Sequence, residues 1–79
     1  MTTEEFLNEL CEVLGRDPGS LSPSDTPATI KEWDSMGHLS IIATIDEVLE
    51  VPVDDEEMRN FKSIEEMLQR LRSRNALED

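Results

Sequence analysis

The sequence predicts an all-α protein, a four-helix bundle with three longer helices, one short third helix and a long first loop. Three observations lead there. Apolar residues recur at helical spacing in four separate stretches, each opening on a Thr, Ser or Asp able to cap a helix. No run of alternating apolar residues marks a strand. The chain has 79 residues, 37% of them hydrophobic, which is enough for one small core and no more.

Thr2-Thr3-Glu4-Glu5 is a capping box, with Thr2 at the N-cap and Glu5 three residues on. Phe6, Leu7, Leu10, Val13 and Leu14 follow at helical spacing, and Gly15 ends the first helix. Cys11 falls at the edge of this apolar face and is read as a packed thiol. Residues 16–33 hold Pro18, Gly19, Pro23 and Pro27 among Ser, Asp and Thr, which is loop chemistry. Leu21, Ile30 and Trp33 are expected to tether that loop.

The second helix should start near Asp34 or Ser35 and run to about Glu50, since Pro52 cannot continue it. At about 100° per residue, Ile41, Ile42, Ile45, Val48 and Leu49 form a buried arc, with Met36, Ser40, Ala43, Glu47 and Glu50 opposite. Asp54 caps a short third helix anchored only by Met58 and Phe61. Ser63-Ile64-Glu65-Glu66 reads as a second capping box, and Ile64, Met67, Leu68 and Leu71 give the last helix its stripe. Arg70, Arg72 and Arg74 suit its C-terminal end, and residues 75–79 are expected to fray. Residues 1–79 are read as one domain.

The formal net charge is −12. Nucleic acid and anionic membranes recruit clustered Lys and Arg, so neither fits this chain; a basic protein partner does. From Glu32 through Glu57 there are nine acidic residues and no Lys or Arg. Self-repulsion there predicts that added salt or Mg²⁺ raises the melting temperature, and a flat titration would contradict it. The run Asp54 to Glu57 lacks the alternating ligands, central Gly and terminal Glu of a calcium loop, so no metal site is expected. One cysteine cannot form an internal disulfide, and no apolar stretch suits a signal peptide or membrane helix. A cytoplasmic monomer is the expectation.

The segment Glu32-Trp33-Asp34-Ser35-Met36-Gly37-His38-Leu39 places a serine hydroxyl where a loop becomes a helix. Unpaired first-turn N–H groups and the positive end of the helix dipole favour an anion there. Asp34 and Ser35 could simply cap the helix. A Ser35–His38 hydrolase is disfavoured, because no third residue evidently orients the imidazole and no Gly-x-Ser-x-Gly elbow is present. His38 is read as packing against the preceding loop.

With Asp34-Ser35-Met36 opening the helix, Leu39, Ile42 and Ile45 behind it, and Glu50-Val51-Pro52-Val53-Asp54-Asp55-Glu56 after it, the chain resembles the acyl carrier protein family. The resemblance implies that Ser35 is where a phosphopantetheinyl transferase attaches 4′-phosphopantetheine from coenzyme A. The protein would then be noncatalytic, holding acyl groups as thioesters for acyl-loading and acyl-processing enzymes with basic docking surfaces in fatty acid, polyketide or related acyl metabolism. Asp34, Met36, Leu39, Ala43, Glu47 and Glu50 would form the partner face. Ile41, Ile42, Ile45 and Leu68 would line any shelter for an acyl chain. Trp33, Gly37, His38 and Ser40 depart from the commonest fatty-acid-synthesis pattern. An aminoacyl or peptidyl carrier, or an unmodified helical interaction module, are the alternative readings.

Overall fold

In the computed structural model, which describes residues 1–78, four helices enclose one core and a long loop joins the first two. Helix α1 spans Thr3–Leu14, α2 Ser35–Thr44 with a π-helical continuation Ile45–Leu49, α3 Asp55–Asn60 and α4 Ile64–Ser73. None of the helices among the described residues is long and apolar enough to cross a membrane.

The caps form largely where the sequence places them. Thr2 accepts from the Glu5 amide and Glu5 reaches back to the Thr2 amide, completing the capping box. Gly15 ends α1 in the left-handed region at φ 72, a conformation that costs a residue with a Cβ about 1–2 kcal/mol. Asp54 accepts from the Glu57 amide at 2.7 Å. Ser63 caps α4 through the Glu66 amide at 3.3 Å, but the exposed Glu66 side chain does not reach back, so this second box is half-formed.

The long loop is held by hydrogen bonds as well as by its apolar tethers. Its carbonyls at Asp25 and Pro23 accept from the amides of Ile64 and Glu65, at 2.9 and 2.8 Å. Those are first-turn donors of α4 that no intrahelical acceptor can reach, so loop and helix satisfy one another. Leu21 and Ile30 are buried, and Trp33 packs half-buried against the core.

The core joins Phe6, Leu10 and Cys11 of α1 to Ile41 and Ile45 of α2, Met58 of α3, and Ile64, Met67, Leu68 and Leu71 of α4. The expected arc on α2 is narrower than the periodicity implies: Ile42, Val48 and Leu49 are only half-buried. Thr44 is buried instead, its hydroxyl donating to the Ser40 carbonyl at 2.8 Å. The π-helical winding after Thr44 was not legible either, since a fixed angle per residue cannot register one widened turn.

The terminal arginines do more than complement a dipole. Arg70 and Arg74 both pair with Glu57 of α3, at 2.8 and 3.0 Å, while Arg72 donates to the Thr3 hydroxyl at the start of α1. The tail through Glu78 is packed where fraying was expected. Leu77 is buried, and Glu78 bonds Met1 through its amide and its carboxylate. Asp79 lies outside the described residues.

Candidate functional site around Ser35

Ser35 is the first residue of α2 and is exposed. Asp34, in extended backbone, caps the helix by accepting from the Gly37 amide at 2.9 Å, and its carbonyl accepts from His38 at 2.8 Å. The Ser35 and Met36 amides therefore keep the open first-turn positions, and the helix dipole adds a positive potential beside the hydroxyl. Among the described residues the Ser35 hydroxyl has no internal partner, so it is available to an incoming group.

The approach to Ser35 is fixed from below. Arg16, just past the end of α1, pairs with Glu32 at 2.7 Å and donates to both the hydroxyl and the carbonyl of Ser20 at 3.2 Å. The hydrogen bond from Arg16 holds the Glu32 carboxyl below the usual carboxylate range. The Glu32 carbonyl lies directly on the Cα of Gly37, where a Cβ would collide with it. In the sequence Gly37 stands out only as a departure from the pattern that the chain resembles. The available signal was its cost of about 1 kcal/mol inside a helix, which a close backbone approach offsets.

Beside Ser35 runs a groove of about 510 Å³ between the loop, α2 and α3. Pro27, Trp33, Leu39, Met58 and Phe61 supply apolar walls, and His38, Asp55 and Arg59 supply polar ones. His38 corrects one expectation. Its ring meets α3, where Nε2 lies 2.7 Å from Asp55 Oδ1, so the imidazole is oriented by a carboxylate after all. The other Asp55 oxygen pairs with Arg59 at 2.7 Å. Nothing in a separation of 17 residues along the chain announces the His38–Asp55 contact. Among the described residues, Ser35 and His38 share the groove without a hydrogen bond, so the nucleophile–base contact of a hydrolase is missing.

No protein-family model, curated protein or solved structure matches this chain.

Of the expected partner face, Met36 is 79% exposed and Leu39 62%, and Asp34, Ala43, Glu47 and Glu50 are all exposed. Asp46, which periodicity did not single out, is exposed beside Glu47. These acidic residues sit where they stabilise α2 least. Asp46, Glu47 and Glu50 crowd the negative end of the helix, no basic residue lies in its last turn, and Glu50 itself adopts φ 56. Among the described residues no cation pairs with them.

The four residues that the resemblance makes a shelter lie inside the fold, Ile42 only half-buried. Ile41, Ile45 and Leu68 have no exposed surface, and none of the four borders the groove.

Proposed function

We propose that the protein is a noncatalytic acyl carrier modified at Ser35. The observation that carries this reading is an exposed, internally unpartnered hydroxyl at the N-terminus of α2, beside a strip of exposed apolar and acidic residues that the fold itself does not use. Ser35 Oγ loses its proton and forms a new P–O bond to the pantetheine-side phosphate of coenzyme A; the pyrophosphate bond breaks and adenosine 3′,5′-bisphosphate leaves. The donor set fits that phosphodiester, because open amides and a helix dipole face one negative charge. Once attached, 4′-phosphopantetheine supplies a terminal thiol that holds acyl groups as thioesters.

Asp34 keeps the first turn capped so that Ser35 is presented at a fixed position. Met36, Leu39 and Ala43 offer an apolar contact, and Glu47 and Glu50 attract a basic enzyme surface and speed encounter. Tethering then raises the effective concentration of cargo at the docked enzyme. Fatty acid, polyketide and other acyl pathways are all consistent with this arrangement, and a cytoplasmic carrier is the setting we propose.

Incubation with coenzyme A and a broad-specificity phosphopantetheinyl transferase is expected to add the mass of one phosphopantetheine group. Ser35→Ala is expected to abolish the gain while leaving the melting temperature nearly unchanged, because the side chain is exposed. Intact-protein mass spectrometry reads both outcomes. Failure of the wild type with several transferases would count against the carrier and favour an unmodified interaction module.

A further inference from the structure

The groove beside Ser35 distinguishes among cargoes. Ile41, Ile45, Met67 and Leu68 of the neighbouring core have no exposed surface and do not border it. The groove at Ser35 is open, and its walls are chemically mixed. Trp33, Leu39 and Phe61 present apolar surface, whereas His38 and Asp55 present polar surface that a hydrocarbon would strip of water without replacing its hydrogen bonds.

His38 defines the polar requirement. Asp55 accepts from Nε2, which leaves the neutral ring with Nδ1 as an acceptor. Nδ1 has no partner among the described residues, and no buried side-chain polar atom among them lacks one, so this nitrogen is open to solvent. The side chain as a whole is only 16% exposed. Asp34 and Asp55 border the same groove against the single cation Arg59, which Asp55 already engages, so a carboxylate-bearing cargo is disfavoured.

We infer that the groove selects short acyl groups carrying a hydrogen-bond donor, a hydroxyl or an ammonium, with His38 Nδ1 as the acceptor and Asp55 as the positioning residue that fixes the imidazole tautomer. This rests on the carrier reading and deepens it. A saturated chain gains nothing from His38.

The test uses coenzyme A analogues with hydrolysis-stable four-carbon groups, one saturated, one 3-hydroxy and one 3-amino, transferred to Ser35. Absence of a mass gain overturns the carrier reading and this inference with it. With the gain in hand, NMR of the one histidine and the one tryptophan tests the groove alone. The hydroxy and amino groups are expected to shift the Trp33 indole and His38 ring signals at least about threefold more than the saturated group, as one added hydrogen bond requires. His38→Leu should equalise the Trp33 response and His38→Asn should restore the preference. Equal responses in the wild type, or a preference that survives His38→Leu, overturn the inference. Should His38→Leu fail to fold by circular dichroism, Asp55→Leu, which removes the acceptor for Nε2, decides: loss of the preference supports the assignment and full retention overturns it.

Discussion

Gly37→Ala is expected to destabilise the protein by about 2 kcal/mol and to lower the melting temperature by roughly 8–16 °C. Helix propensity alone points the other way, since alanine in a helix interior is favoured over glycine by about 1 kcal/mol. The sign is reversed by the position of Glu32. An added Cβ would lie 2.9 Å from the Glu32 carbonyl carbon, closer still to its oxygen, and 3.4 Å from Leu14 Cδ2. The backbone there cannot withdraw freely, because Arg16 grips the Glu32 side chain and the Trp33 amide donates to the Ile30 carbonyl at 3.0 Å. Thermal melting checks the sign, and fluorescence of the one tryptophan checks that the groove shifts with the loop. A variant as stable as the wild type would show that the loop yields without cost.

Phe6→Ala has a larger expected effect. Phe6 is fully buried in α1 and is the largest side chain sealed in the core; the other phenylalanine, Phe61, is only half-buried at the groove. Truncating a buried Phe costs about 3–5 kcal/mol through lost transfer energy and the cavity left behind. A domain of this size has a total stability on the order of 4–12 kcal/mol, so one substitution removes about a quarter of it or more. The melting temperature is expected to fall by at least about 12 °C. Far-UV circular dichroism during urea titration measures this directly. A midpoint close to the wild-type value would mean that the surrounding Leu and Met side chains collapse into the space far more completely than close-packed cores normally allow.

Much of the fold was legible in the residues because its signals are local. Thr2, Asp34, Asp54 and Ser63 announce helix starts through side chains that reach amides three residues away, and Gly15 announces a stop through its own backbone freedom. Exposure of Ser35, Met36, Ala43, Glu47 and Glu50 follows from the same short-range geometry.

What the sequence by itself determined is therefore the set of helices, their caps, the acidic excess and the serine at the start of α2. Only the tertiary structure decided that Gly37 makes room for Glu32, that Asp55 orients His38, that the tail through Leu77 joins the core, and that a groove of mixed lining opens beside Ser35, bordered by none of the buried isoleucines. The physical reason is separation along the chain. A cap or an apolar stripe is encoded within one or two helical turns, whereas a close approach, an ion pair or a cavity depends on where distant segments come to rest against one another.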